Sequence, residues 1–282
     1  MTLPAARVGY SPRLDASPRR HDDGPVALQR RHVVGIALAA LLVAAGLIAW
    51  PWVRIYTGVA PPEQFEAAVP APVTSRDVLG IAHNAGSNAS TTRRALAYGA
   101  DVIEIDVTIA RGRLVAGRAH GVPWLAERVF RGPSLASAWA YSSEAKIIKL
   151  DLQRNGRGLL NRLVDFLSEA PPHGEVLVST RDPDAITYLR PRLPRDVRLI
   201  FTVPFPPAEA ELRTDADLVS AITGITVFRG LVSKDLVRWA HDRHLLVFAW
   251  TVNDGQGMNQ MLRAGVDGIT TANLAILRAL SS

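Results

Sequence analysis

Short apolar runs that alternate with amphipathic, helix-like segments are the feature that most restricts the fold of this 282-residue chain. Strand–helix alternation of this kind is typical of a parallel sheet covered by helices. From residue 77 onward the runs are 78–83, 101–107, 113–119, 146–152, 175–179, 197–203, 224–228, 245–252 and 266–270. Helical patterns such as RGLLNRLVDFLSE (157–169) lie between most of them.

The run at 113–119 is expected to differ from the others. Only a short connection separates it from the run at 101–107, whereas a helical crossover between parallel strands needs a dozen or more residues. We therefore expect these two runs to form an antiparallel hairpin. The other eight predict a (β/α)8 TIM barrel, which about 206 residues can form. An open, doubly wound sheet is the alternative.

The chain before the barrel divides into three parts by composition. Residues 1–32 are rich in Arg and Pro and lack hydrophobic periodicity, which predicts a disordered basic tail. Residues 33–53 carry no charge and are long enough as a helix to cross a hydrocarbon core of about 30 Å. Residues 54–76, rich in Pro and Ala, predict an extended linker to the barrel at 77–282.

The charge distribution around the apolar segment predicts its orientation in a membrane. The formal net charge is +6, and six arginines precede the segment: Arg7, Arg13, Arg19, Arg20, Arg30 and Arg31. The positive-inside rule then places the N-terminus in the cytoplasm and the barrel outside the cell membrane, on a single-pass anchor. A cleaved signal peptide is the alternative, although the apolar and leading segments are both long for one.

Two function classes are disfavoured by composition. No zinc-finger, basic-helix or aromatic RNA-binding pattern accompanies the basic charge, so no nucleic-acid partner is predicted. The chain has no cysteine, which excludes disulfides, thiolate catalysis and cysteine-bound metals.

Two acids inside an apolar run give the first sign of a functional site. In a strand over 101–107, alternation puts Glu104 and Asp106 on one face, toward the barrel axis and near the C-terminal end of the strand. Carboxylates held so close repel each other unless one is protonated or a cation lies between them. Oxygen ligands suit Mg²⁺, Mn²⁺ or Ca²⁺. Pairing of one acid with an arginine of a neighbouring strand is the alternative.

Further polar residues occupy matching positions at other strand ends. His83 ends the first run, His120 follows the hairpin run, and Lys149 and Asp151 share one face of the run at 146–152. Since the C-terminal ends of barrel strands converge, these side chains are expected to meet in one active site.

The segment from Ile81 to His120 resembles the glycerophosphodiester phosphodiesterases, members of the phospholipase C-like phosphodiesterase superfamily. The matching parts are His83, the GADVIEID stretch at 99–106, and His120. VFAWTVND (247–254) and GVDGITT (265–271) are similar to the closing motifs of that family. The resemblance implies a (β/α)8 barrel in which His83 acts as base or nucleophile and His120 protonates the leaving alcohol.

Two departures from the family pattern affect the predicted site. The His-Arg-Gly of the family is His83-Asn84-Ala85 here, so its phosphate-binding arginine is missing. Its metal-ligating glutamate is also missing, because the corresponding stretch reads Gly-Ser-Asn at 86–88.

The Glu-x-Lys motif of the family is inverted here, as Lys149-Leu150-Asp151. This feature resembles the sphingomyelinase D-like and menorin branches of the superfamily. In the sphingomyelinase D-like branch the metal is held by the Glu-x-Asp pair and a later Asp. That pattern implies Glu104, Asp106 and Asp151 as ligands here.

Together these features predict a membrane-anchored, metal-dependent phosphodiesterase that acts on glycerophosphodiesters or related lysophospholipids, with Mg²⁺ or Ca²⁺ as cofactor. The residues expected to bind substrate are Lys149, Asn84 and Trp250. One alternative is a barrel that has lost catalysis and acts as an extracytoplasmic binding module. Another is an aldolase or isomerase, which would use Lys149 as a neutral amine, a role that the neighbouring Asp151 disfavours.

Overall fold

Nine strands are present in the computed structural model, which describes residues 64–73, 77–117, 130–169 and 174–281. They are β1 (Leu79–Ala82), β2 (Val102–Ala110), β3 (Arg113–Ala116), β4 (Ile147–Leu152), β5 (Glu175–Thr180), β6 (Val197–Val203), β7 (Gly224–Phe228), β8 (Leu246–Trp250) and β9 (Gly268–Thr271). Each matches one of the runs identified in the sequence.

Eight of these strands close into a parallel barrel. From β4 to β9 each strand pairs with the next along the chain, β4 pairs with β2, and β1 pairs with both β2 and β9. The closure confirms the predicted (β/α)8 barrel and excludes the open sheet. Strand β3 lies antiparallel on β2, with Val107 opposite Ala116, as the short connection predicted.

Helices in the described chain cover the outside of the barrel. They are α1 (Ala89–Ala97), α2 (Leu135–Tyr141), α3 (Arg157–Glu169), α4 (Pro183–Leu189), α5 (Pro206–Thr214), α6 (Ala216–Ala221), α7 (Lys234–His241), α8 (Gly255–Ala264) and α9 (Leu274–Leu280). Most begin at a short polar residue whose side chain accepts a hydrogen bond from a backbone N–H of the first turn, as Ser233 does from Leu236 and Asn273 does from Ala275.

Two apolar layers hold the strands in place. The outward strand faces, including Ile103 and Ile105, pack under the helices in one large buried cluster. Inside the barrel a smaller cluster consists of Ile81, Val102, Leu177, Ile200 and Phe248. In each of these five strands the next inward residue toward the C-terminal end is two positions later, because side chains alternate. The inner cluster therefore forms the floor beneath those residues.

Part of the predicted linker lies against the barrel. Phe65 pairs with Asn273 as an isolated parallel β-bridge. The Asn273 side chain accepts from the Ala67 N–H and donates to the Ala67 carbonyl. The predicted tail at 1–32 and membrane helix at 33–53 lie outside the described residues. Within the described ranges, no helix is both long enough and apolar enough to span a bilayer.

Candidate active site

A pocket opens at the C-terminal ends of the barrel strands, above the apolar floor. Charged and amide side chains from β1, β2, β4 and β5 line one side: His83, Glu104, Lys149, Asp151, Gln153 and Arg181. Neutral residues from β6 to β9 line the other: Thr202, Pro204, Thr226, Trp250, Thr251 and Thr270. The pocket lies where active sites of such barrels form.

The centre of the charged side is a buried ion pair between neighbouring strands. Glu104 of β2 is in register with Lys149 of β4, and Lys149 Nζ donates to Glu104 Oε2 over 2.6 Å. The two residues are 3% and 2% exposed. One acid of the Glu104/Asp106 pair is thus matched by a basic residue of the next strand, but that residue is a lysine and not an arginine.

Burial alone would lower the pKa of the Lys149 ammonium. The carboxylates of Glu104 and Asp151, and the hydrogen bond to Glu104, nevertheless raise this pKa above its ordinary value. The neighbouring carboxylates therefore favour the ammonium form of Lys149. This charge state is unsuited to a neutral amine nucleophile, so the aldolase alternative has no support in the site.

The other two predicted ligands, Asp106 and Asp151, lie side by side and share one amide. They are register partners on β2 and β4, and Gln153 Nε2 donates to Asp106 Oδ1 over 3.0 Å and to Asp151 Oδ2 over 2.6 Å. Ser179 of β5 donates to Asp151 Oδ1 over 2.6 Å. The sequence signal for Gln153 was its position two residues after Asp151, on the same strand face.

The three predicted carboxylates have different partners among the described residues: Lys149 for Glu104, and Gln153 for Asp106 and Asp151. Glu104 already accepts from the Lys149 ammonium, and a cation bound to Glu104 would lie beside that positive charge. Among the residues that the structure describes, no three His, Asp or Glu side chains are grouped as metal ligands. We therefore assign no chemical step to a metal ion, and the cation stays a prediction.

His83, at the end of β1, reaches the pocket next to Glu104. Its Nε2 lies 3.8 Å from Glu104 Oε1, and its side chain is 19% exposed. This position gives the imidazole both access to the pocket and a carboxylate to orient it. An imidazole in this position can reach a ligand in the pocket, as a general acid or base must.

Asn84, predicted to bind substrate, faces the acids of β2 and does not line the pocket. Its backbone is left-handed, with φ 48° and ψ 28°, a conformation that asparagine tolerates better than most residues. The Asn84 N–H donates to Glu104 Oε1 over 3.3 Å, and its Oδ1 accepts from Ser87 Oγ and, over 3.5 Å, from the Asp106 N–H. Asn84 thereby positions the two acids.

The predicted second histidine, His120, lies outside the described residues. Gly117, three residues before His120, is the last described residue on this side of the gap. Its N–H donates to the Asp106 carbonyl over 2.7 Å.

The neutral side of the pocket carries polar atoms that no described residue satisfies. The buried hydroxyls of Thr202, Thr226 and Thr270, and the Trp250 indole N–H, have no hydrogen-bond partner in the described chain. Trp250, predicted to wall the pocket, does so and packs edge-on against Phe228 with ring centroids 5.8 Å apart. The sequence analysis did not identify these threonines as pocket residues. The only sequence signal for them is that strand alternation places them on the inward face.

Comparisons with known proteins define the class to which this pocket belongs. The family model described as "Glycerophosphoryl diester phosphodiesterase family" matches residues 110–275, more than half of the chain. A glycerophosphodiester phosphodiesterase of Arabidopsis thaliana is 36% identical over 56 residues. That match spans 20% of this chain and only 17% of the plant protein.

Solved structures agree in fold. An Oleispira antarctica phosphodiesterase in complex with the product sn-glycerol-3-phosphate has a TM-score of 0.61 and 18% identity, over 72% of this chain and 97% of that one. A glycerophosphoryl diester phosphodiesterase from Parabacteroides distasonis has a TM-score of 0.53 and 14% identity, over 75% and 89% of the two chains. These structures show the fold, and the family model, which matches more than half of the chain, shows that the chain belongs to the glycerophosphoryl diester phosphodiesterase family.

Proposed function

We propose that this protein is a phosphodiesterase that cleaves glycerophosphodiesters or related lysophospholipids in the pocket at the C-terminal ends of the strands. The observation that carries the proposal is the placement of His83 beside Glu104 on the pocket wall, within a family of phosphodiesterases. A phosphodiester has one negative charge and two ester oxygens, so its cleavage needs positive charge near phosphorus and proton transfer at the leaving oxygen.

The proton transfers belong to the two histidines in this proposal. An oxygen nucleophile, either water or a hydroxyl of the substrate next to the phosphate, attacks phosphorus while His83 accepts its proton. One P–O bond forms, the P–O bond to the alcohol breaks, and His120 gives its proton to the departing oxygen. Glu104, 3.8 Å from His83 Nε2, orients the imidazole and stabilises its protonated form.

The positive charge comes from the chain itself in the geometry described. Lys149 places its ammonium on the pocket wall, where it is paired with Glu104 over 2.6 Å. A divalent cation on the neighbouring carboxylates would add charge stabilisation of the transition state. In this proposal Asp106 and Asp151 are the main ligands of the cation, because their shared partner is the neutral amide of Gln153. Glu104 contributes less, because it is paired with the Lys149 ammonium.

The substrate class follows from the two unlike walls of the pocket. Charged groups on one side suit the phosphate, and hydroxyls on the other suit the polar part of a glycerol ester. At the mouth, Phe228 is 42% exposed and packs on Trp250, which gives an apolar surface to a substrate with an acyl chain. A binding module without catalysis is the second candidate, favoured by the asparagine that replaces the arginine after His83.

The membrane anchor is part of the same proposal. Residues 33–53 are uncharged and long enough to span a bilayer, and the arginines before them orient the barrel outward. If the anchor is real, the full-length protein will remain in the membrane fraction after alkaline carbonate extraction. Its barrel will be cut by a protease added to intact spheroplasts. Complete release by carbonate would contradict the anchor.

The function is tested with the purified full-length protein in detergent. Glycerophosphocholine, a lysophospholipid and bis(p-nitrophenyl) phosphate are offered with and without divalent cations, and His83→Ala is the matched control. Turnover that disappears in the His83→Ala variant supports the enzyme, and the preferred ester identifies the substrate. Binding of these esters without turnover under any of the conditions would favour the binding module.

A further inference from the structure

A phosphodiester is an anion, and three basic side chains line the described part of the pocket: His83, Lys149 and Arg181. Two of them, Lys149 and His83, lie within 4 Å of the Glu104 carboxylate. Lys149 Nζ is 2.6 Å from Glu104 Oε2, and His83 Nε2 is 3.8 Å from Glu104 Oε1. Their charge is therefore directed toward Glu104 as much as toward a ligand.

Arg181 differs from these two residues. Its side chain is exposed at the pocket, and it makes no hydrogen bond or ion pair with any described residue. Within the described part of the pocket it is the only full cation without a carboxylate partner. Its charge is therefore available to an anion in the pocket.

The backbone around Arg181 fixes where the guanidinium lies. Strand β5 ends at Thr180, and its inward positions are Leu177 in the apolar floor and Ser179, which donates to Asp151. Arg181 is the next inward position, one layer higher. The next residue, Asp182, caps α4 by accepting from the Asp184 N–H. This cap fixes the backbone of Arg181 at the C-terminal end of β5.

The loop after β1 offers no equivalent cation. The residue after His83 is Asn84, whose side-chain oxygen already accepts from Ser87 and from the Asp106 N–H. Asn84 carries no charge and does not line the pocket. Among the described lining residues, the arginine available to a phosphate near His83 is therefore Arg181, from the end of β5.

We propose that Arg181 is the substrate-binding residue that holds the phosphate of the ligand, from the end of β5 and not from the loop after β1. The guanidinium offers two parallel N–H donors that match two non-bridging phosphate oxygens, a geometry that lysine cannot reproduce. The inference rests on the proposed function in one respect, because it takes the ligand to be a phosphodiester or its phosphomonoester product.

Two substitutions at Arg181 and one matched control test the proposal in the full-length protein. Arg181→Gln removes the charge. Arg181→Lys keeps the charge but not the two parallel N–H donors of the guanidinium. Arg229→Gln is the control, because Arg229 follows β7 at the same end of the barrel but pairs with Asp254 over 2.9 Å. Both Arg181 and Arg229 are exposed, so the melting temperature of each of the three variants is expected to stay close to wild type and is recorded.

Binding of sn-glycerol 3-phosphate is measured by calorimetry, and KM and kcat are measured with glycerophosphocholine. Arg181→Gln is expected to weaken binding and to raise KM by about 10- to 100-fold, with a much smaller change in kcat, as the loss of a charged hydrogen-bonding pair implies. Arg181→Lys is expected to recover part of the loss. Arg229→Gln is expected to stay within about twofold of wild type, since its charge is held elsewhere.

The outcomes separate this proposal from the proposed function. Binding that depends on Arg181 in a wild-type protein without turnover would support the phosphate site and refute the enzyme. Turnover that is insensitive to Arg181→Gln, or equally sensitive to Arg229→Gln, would overturn the role of Arg181 alone. A wild-type protein that neither binds nor cleaves would overturn both.

Discussion

The ammonium of Lys149 lies 2.6 Å from the carboxylate of Glu104, in a part of the barrel where both residues are at most 3% exposed. Removing one member of such a pair leaves a charge buried without its partner, which typically costs about 3–5 kcal/mol. We expect Lys149→Met to destabilise the fold by that amount, and Glu104→Gln to destabilise it as well. The double variant is expected to recover much of the loss, because it buries no single charge.

Urea unfolding of the four proteins measures this coupling. Lys146→Met is the control, because Lys146 pairs with Asp101 over 2.7 Å but its side chain is 78% exposed. Exposed pairs contribute about 0.2–1 kcal/mol. A Lys149→Met variant no less stable than Lys146→Met would show that the buried pair does not have the strength inferred here.

Asp254 gives a pH dependence with a definite sign. Its Oδ1 accepts from the Gly257 N–H over 2.7 Å at the start of α8, and its other oxygen pairs with Arg229. The backbone N–H of Gly257 first, and Arg229 with it, lower the pKa of Asp254 below its ordinary value. A lowered folded pKa contributes stability above the unfolded pKa of about 3.9, and that stability is lost as pH falls through the folded pKa.

Asp254→Ala is expected to cost about 1 kcal/mol at pH 7, the usual effect of losing an N-cap. The difference from wild type is expected to begin shrinking below the unfolded pKa of about 3.9, and to shrink further as pH falls through the lowered pKa of the folded state. Thermal melts from pH 7 to pH 3 test this. Asp254→Asn keeps a capping oxygen without the charge, so its difference from wild type should be smaller at pH 7.

The two histidines are expected to respond differently to the leaving group. A positioned general acid or base contributes about 10²–10⁴-fold, so His83→Ala should slow every ester by roughly that factor. His120→Ala should slow glycerophosphocholine far more than bis(p-nitrophenyl) phosphate, whose leaving group needs no proton. Initial rates at fixed pH measure both. Equal losses on the two esters in His120→Ala would remove the general-acid role.

Removal of divalent cations tests the predicted metal. If Asp106 and Asp151 hold Mg²⁺ or Ca²⁺, EDTA will abolish turnover, and the added cation will raise the melting temperature of wild type but not of Asp151→Asn. Both carboxylates share the Gln153 amide, so the substitution changes one ligand and keeps the strand in place. Full activity in EDTA would mean that Lys149 and the other basic groups of the chain supply the positive charge.

The arrangement of strands was predictable because hydrophobic periodicity is local. Each apolar run became a strand, and the length of the connection at 107–113 was enough to make β3 antiparallel. Alternation in β2 also predicted that Glu104 and Asp106 face inward, and β1 was expected to end at His83. These features depend on neighbouring residues along one strand, which the sequence shows directly.

The partners of these groups depended on register between strands that are far apart in the chain. Glu104 and Lys149 are 45 residues apart, and only closure of the barrel at this register joins them as a pair. The same register gives Asp106 and Asp151 the shared amide of Gln153, and turns Asn84 toward the acids and away from the pocket. Thus the sequence determined which faces are polar, and the tertiary structure decided which charges compensate one another, because electrostatic pairing requires distances of a few ångströms that strand periodicity alone does not specify.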